Sequence, residues 1–348
     1  MEMNKNISLG KIFPPTFRLV AMPLVAVLLI SLLMSSSSHK TTIFIIGDST
    51  AAEKGNYRNY PERGWGMVFQ GCFDDQIIVD NHAVNGRSSK SFLDEGRWQK
   101  ILDKMQPGDY VLIQFGHNDE KHFPDRYTEP GGTFDAHLAK YVNETRQKGG
   151  IPVLLNSVVR RCYYSEDLKN DNDEKLRDKQ YDGKELINSE TLIDTHGAYV
   201  VAPRHVAKAL NVPFVDATKI THDIETKMGI EGSRKLHMWF MPGENPQVLK
   251  GKKDNTHYNV YGAYVVANAL ADALAEQVPA LKKHIRHYDY VVSAEGRGNF
   301  MTLQQAVDAV PAHQSATILV LGGKWKNPSH VAGKQIKYVL QFGASIEK

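Results

Sequence analysis

The stretch "IFIIGDST", Ile43 to Thr50, runs apolar for four residues and then stops at Gly-Asp-Ser-Thr. An unbroken apolar run of this length, rather than an alternating one, is what a strand covered on both faces looks like. Four more runs of the same kind follow: "QIIVDNH" (Gln76 to His82), "YVLIQF" (Tyr110 to Phe115), "IPVLLNSV" (Ile151 to Val158) and "VPFVDA" (Val212 to Ala217). Between them lie stretches of helical length, such as "SSKSFLDEGRWQKILDKM", "TFDAHLAKYVNETRQKG" and "HGAYVVAPRHVAKAL". Gly149 and Gly150 supply a stop for the second. A last amphipathic run, "VYGAYVVANALADALAEQV", is expected to close the unit, with Pro279 ending it. Strands alternating with helices predict a five-stranded parallel sheet with helices on both sides, a three-layer α/β/α sandwich.

The chain has 348 residues and a formal net charge of +3. Lys5, Lys11 and Arg18 against Glu2 account for two of those units, which leaves a nearly neutral body and argues against nucleic acid as a partner. The basic N-terminus, the apolar run Leu19 to Met34 and the following "SSSS" read as a secretion signal over residues 1–38, with a mature chain starting near His39. An exported protein, periplasmic or secreted, is expected, and membrane attachment only if the segment stays on as an anchor. Cys72 and Cys162 are too few for a disulfide framework; export would permit one bridge, and two free thiols are the other reading. The polar stretch Ser165 to Glu190 reads as a solvated excursion between a strand and a helix.

In open parallel sheets ligands bind beyond the carboxyl ends of the strands. "GDST" follows the first strand, "NGRSS" (Asn85 to Ser89) the second, "GHND" (Gly116 to Asp119) the third, and "DNTH" (Asp254 to His257) precedes the closing helix. Each alone has a plain reading: a turn, a loop glycine, an Asx turn, a helix cap. Together they hold what acyl transfer to a serine requires, namely a hydroxyl, a base and donors for the oxyanion. Ser49 is the candidate nucleophile and His257 the candidate base, because an imidazole titrates near neutrality. Asp254, three residues earlier, can fix the imidazole tautomer. The candidate oxyanion donors are the backbone N–H groups of Ser49 and Gly86 and the side-chain amide of Asn118.

These blocks resemble those of the GDSL or SGNH esterase family over about Thr42 to Val278, and the resemblance implies a flavodoxin-like sandwich with the same five residues in the roles just given. The sequence departs from the family in having Thr50 where the name-giving motif has Leu, and in Asn85 and Arg87 flanking Gly86. It lacks a Gly-x-Ser-x-Gly elbow between strand and helix. Within the family, "GHNDEKH", "KGGIPVLLNSVVRR", "DTHGAYVVA" and "DNTHYNVYGAYVVANALADAL" are similar to rhamnogalacturonan acetylesterases, which implies acetylated pectin as the substrate. Arg160 and Arg161 after the fourth strand could then meet uronate carboxylates, and Trp239 with Phe240 could stack on sugar. Salt bridges and core packing are the competing readings of these four.

The domain organisation expected is an esterase unit over 40–285 and a separate piece over 286–348. "YDYVVSAEGRGNFMTLQQAVDAVP" and "ILVLGGKWKNPSHV" resemble the start of pectin methylesterases, which are parallel β-helices, with Gly322 and Trp325 replacing the usual Pro and Tyr. One or two rungs cannot bury their own apolar face, so an inactive, poorly packed fragment is expected. No HExxH or other ligand spacing is present, so no metal or cofactor is expected, and the chain is expected to be a monomer. Other readings of the same blocks are an esterase for xylan acetate, another carbohydrate ester or a lipid ester, and a pectin-binding protein without activity.

Overall fold

The computed structural model describes residues 40–164, 185, 187–329 and 333–347. The expected signal segment and most of the polar excursion lie outside these residues. Among the described residues no helix is long and apolar enough to cross a membrane.

Five parallel strands form one sheet: β1 (Thr41–Gly47), β2 (Ile77–Asn81), β3 (Tyr110–Gln114), β4 (Ile151–Leu155) and β5 (Phe214–Val215). Their order is β2-β1-β3-β4-β5, the flavodoxin-like order in which the strand sequence reverses beside β1. Successive side chains of β1 point to opposite faces, and both faces are covered. Ile43 and Ile45 pack in one core with Leu112, Val153, Leu155 and Leu270. Phe44 and Ile46 pack in the other with Ile113, Phe134, Leu138 and Val206. That two-sided burial is why the strands read as unbroken apolar runs. At the end of β1, a Cβ on Gly47 would lie 2.7 Å from the Gln114 carbonyl oxygen, so only glycine lets β1 and β3 approach there.

The helices follow the expected alternation with local differences. The stretch from Ser88 to Met105 forms two helices, α2 (Ser89–Asp94) and α3 (Arg97–Lys104), after a short first helix α1 (Trp65–Val68). Gly96, with φ of 67°, breaks the run between them. Then come α4 (Thr133–Gln147), α5 (Ala198–Leu210), α6 (Ala217–Ser233) and the closing α7 (Val260–Gln277). Pro279 does not merely stop α7. It opens a further turn, α8 (Pro279–Lys282), as suits a residue whose missing N–H is harmless at a helix start. β5 spans two residues rather than six, since the register with β4 covers only Phe214 and Val215.

A second difference bears on the site. The segment leading to Asp254 is not a loop but an antiparallel pair, β6 (His237–Phe240) with β7 (Lys252–Tyr258). Asp254 and His257 therefore sit on a strand. Cys72 is a buried free thiol, so no bridge joins it to Cys162.

The expectation of a poorly packed C-terminal fragment is corrected. Strands β8 (Tyr290–Ser293), β9 (Ser315–Leu321) and β11 (Gln335–Gln341) form a parallel sheet, with α9 (Leu303–Ala309) on it and a small pair, β10 (Lys324–Trp325) with β12 (Ser345–Ile346), beside it. Val292, Ile318, Val320, Leu303 and Trp325 make one core. Val291, Leu319 and Leu321 belong instead to the core that contains Phe73 and Leu270. Hydrogen bonds stitch the seam: Arg63 Nε donates to the Gly296 carbonyl (2.9 Å), Tyr264 Oη to Arg297 (2.9 Å) and Gln341 Nε2 to Phe73 (3.2 Å). The face that would need a stacked rung is thus covered by the preceding five-stranded unit.

Candidate active site

Ser49 lies just beyond β1, in a turn built by its neighbours. Asp48 Oδ1 accepts from the Thr50 N–H (2.9 Å) and the Thr50 hydroxyl (2.8 Å), an Asx-type arrangement that tightens the turn. Threonine in place of the family's leucine therefore has a structural task. The Trp65 N–H donates to the Thr50 carbonyl oxygen at 2.9 Å and pins the turn from the other side.

The second block forms a β-turn, with the Arg87 N–H donating to the Val84 carbonyl (3.3 Å). Gly86 takes the third position with φ of 75°, where a side chain would be strained. The third block is tied to it: Asn118 Nδ2 donates to the Arg87 carbonyl at 3.2 Å, and Asn118 is buried. Asp119 accepts from the Ser89 N–H (3.0 Å), the Ser89 hydroxyl (2.5 Å) and the Thr128 hydroxyl (2.8 Å). The chain after Asn118 is thereby anchored to the start of α2, which carries a Ser88–Ser91 capping box.

β7 brings the last block across. His257 Nε2 stands 2.9 Å from Ser49 Oγ, and His257 Nδ1 stands 2.9 Å from Asp254 Oδ2. Asp254 Oδ1 also accepts from the Thr256 and His257 N–H groups, both at 3.0 Å. With Nδ1–H donated to a carboxylate, Nε2 is left as the acceptor that can take the serine proton. Burial opposes charging of His257, but the Asp254 charge and hydrogen bond outweigh it and raise the imidazole above its usual range. Asp254 pays the same desolvation penalty, and the facing His257, with its hydrogen bonds, holds the carboxyl well below the ordinary carboxylate range.

The four expected substrate-facing side chains fare differently. Arg161 is 1 % exposed. Its guanidinium donates to Ser233 Oγ (3.0 Å), Asn255 Oδ1 (3.1 Å), the Ile230 carbonyl (2.6 Å) and Glu185. Trp239 is 4 % exposed, and the Arg234 guanidinium lies 4.1 Å from its ring centre. Of the two readings offered for them, the structure corrects substrate contact to burial as structural groups: Arg161 through partners far along the chain, Trp239 on β6 with Arg234 over its ring. Phe240 is half-buried on β6. Arg160 pairs with Glu120 and donates to Thr195 Oγ1 at 2.9 Å, at the edge of the block that holds Asn118.

Some residues close to the site carried no sequence signal. The ring of His117, beside Asn118, meets His196 edge-on at 4.4 Å, and His196 Nδ1 lies 2.9 Å from Glu120 Oε2. Lys54 and Glu62 form a buried ion pair at 2.8 Å. Nothing in hydrophobic periodicity marks such groups, since their meeting depends on how the loops fold over the sheet. Among the described residues no group of three or more His, Cys, Asp or Glu is placed to hold a metal.

Residues 45–265, nearly the whole of the five-stranded unit and its site, match the GDSL-like Lipase/Acylhydrolase family. The chain belongs to that family, and it is an ester hydrolase. It is 36 % identical over 255 residues to the rhamnogalacturonan acetylesterase RhgT of Bacillus subtilis, covering 73 % of this chain and 96 % of that protein. A rhamnogalacturonan acetylesterase of Emericella nidulans is 40 % identical over 94 residues, 27 % of this chain and 35 % of that one. The crystal structure of the Bacillus subtilis protein YxiM superposes with a TM-score of 0.52 at 21 % identity, covering 69 % of this chain and 57 % of that one, and shares the fold.

Proposed function

We propose that this GDSL-like chain is a serine-dependent carbohydrate O-acetylesterase that removes acetyl groups from rhamnogalacturonan. The observation that carries the chemistry is the pair of hydrogen bonds on the His257 ring, between Nε2 and Ser49 Oγ and between Nδ1 and Asp254 Oδ2, both 2.9 Å long. The substrate class follows the relatives named as acetylesterases for that polymer.

The Ser49 hydroxyl attacks the acetyl carbonyl while its proton passes to His257 Nε2. The oxyanion that forms is met by the Ser49 and Gly86 N–H groups and the Asn118 amide. The carbon–oxygen bond to the sugar breaks, and the sugar oxygen takes the proton from His257. An acetyl ester of Ser49 remains. Water then attacks it, giving its proton to His257; the tetrahedral species collapses, the proton returns to Ser49, and acetate leaves. The imidazolium formed in each half is stabilised by Asp254. The export signal that the sequence leads us to expect over residues 1–38 would suit a polymer met outside the cell.

Acetate release from acetylated rhamnogalacturonan, measured beside xylan acetate and longer-chain esters, tests the proposal. Preference for the pectic polymer, abolished in Ser49→Ala, is expected; preference for either competitor would move the substrate elsewhere. A pectin-binding protein without activity would be favoured by a Ser49–His257 separation beyond hydrogen-bond reach, and the 2.9 Å contact favours the enzyme.

A further inference from the structure

Lys54 follows Ser49 by five residues and is 7 % exposed. An ammonium has three N–H donors and no acceptor. All three are used: on the Ser49 carbonyl oxygen at 2.6 Å, on Asn85 Oδ1 at 2.8 Å and on Glu62 Oε1 at 2.8 Å. These acceptors come from three separate parts of the site. Ser49 carries the hydroxyl, and Asn85 precedes Gly86 in the β-turn. Glu62 lies in bridge register with Asn259, and the next N–H, that of Arg63, donates to the Tyr258 carbonyl at 3.0 Å, one residue past His257.

A buried ion pair is weak support for stability, because apolar side chains of similar volume commonly serve as well. Removing a charged pair from water beside a reactive serine therefore calls for another reason. We propose that Lys54 is a positioning residue that holds the serine turn, the Gly86 turn and the His257 strand in mutual register, with Glu62 balancing its charge. The inference rests on the reading of Ser49 as nucleophile and His257 as base.

Geometry and charge give separate signatures. The charged or titratable groups around His257 are Asp254, Glu62 and Lys54, with Asp48 and His117 acting through space. Glu62 favours the imidazolium and Lys54 opposes it. Lys54→Met should therefore move the acidic limb of the pH–kcat/KM profile to higher pH, and Glu62→Gln should move it lower. Lys54→Met/Glu62→Gln removes both charges and still lacks the tether.

The test uses the full chain with 4-nitrophenyl acetate, with urea unfolding run in parallel. The double variant is expected to stay folded yet lose kcat by roughly 10- to 100-fold with KM little changed, as for a small misplacement of reacting groups. A double variant with near-normal kcat, or single variants whose acidic limbs both stay in place, would overturn the proposal. Should Lys54→Met fail to fold, Asn85→Ala and Glu62→Gln decide. Asn85→Ala keeps the ammonium, so kcat should fall with the limb unmoved; unchanged kcat overturns the tether. Labelling of the unmodified protein by a fluorophosphonate at Ser49 is read separately, and its absence would sink the nucleophile rather than the role of Lys54.

Discussion

Arg161 grips Asn255 twice: its backbone N–H donates to the Asn255 carbonyl at 2.8 Å, and its guanidinium donates to Asn255 Oδ1 at 3.1 Å. The chain leaving β4 thereby holds the strand that bears Asp254 and His257. Truncating Arg161 to Ala leaves the Glu185 carboxylate paired with Arg234 alone among the described residues. Breaking a buried pair costs about 3–5 kcal/mol where the remaining charge has no partner, and less here because Arg234 stays on Glu185. Urea unfolding should show that loss together with a lower kcat, whereas a residue that only touched substrate would raise KM and leave stability alone.

Ser49→Ala should abolish acetate release, on the order of a millionfold in kcat by comparison with other serine triads. Asp254→Asn keeps the shape but favours the wrong imidazole tautomer, and should cost roughly 10,000-fold. Steady-state rates on a soluble acetyl ester measure both. Activity retained in Ser49→Ala would remove the nucleophile.

Asn118→Ala should lower kcat by roughly 100- to 1,000-fold if its amide meets the oxyanion. That task would fall to its second amide hydrogen, since one already serves the Arg87 carbonyl. Comparable kcat in the variant would restrict Asn118 to holding the Gly86 turn.

His257 must be neutral to accept a proton, and its pKa lies above the usual value of about 6.5. Activity should accordingly rise with pH through a midpoint above that value. Asp254→Asn removes the raising partner and leaves burial, so the residual activity should titrate at lower pH. The sign for stability is opposite. The folded chain holds this proton more tightly than the unfolded one, so the contribution is complete below about 6.5 and is lost as pH rises through the raised value. A pH–rate profile with parallel urea titrations checks both directions.

Leu319 lies in the shared core beyond the esterase unit. Leu319→Ala should destabilise the whole described unit by about 2–5 kcal/mol, as for other buried leucines. A single cooperative transition at lower urea is expected. Two transitions, with the esterase unaffected, would show that the C-terminal strands unfold by themselves.

The five sheet strands were legible because burial on both faces leaves runs such as Phe44 to Ile46 without polar interruption. β6 and β7 were not, since Asp254, Thr256 and His257 are polar yet buried, satisfied by hydrogen bonds that no hydrophobic pattern records. Ser49, Gly86, Asn118, Asp254 and His257 could be proposed from four short blocks at strand ends. For Arg161 and Trp239 the sequence left substrate contact and packing both open, and packing is what the structure shows: Ser233 and Asn255, far along the chain, enclose Arg161, and Arg234, in the turn before β6, lies over the Trp239 ring. The C-terminal strands were misjudged for a related reason. Their apolar face finds its cover in the preceding unit and not in another copy of the same rung.

Placing Ser49 just beyond β1 and its base 208 positions later has a temporal consequence. A nascent chain exposes the hydroxyl early, but no imidazole is there to withdraw its proton until β7 has emerged and docked. Contacts of such long range form late and slowly. Reactivity would thus be withheld during synthesis and switched on only by completion of the fold.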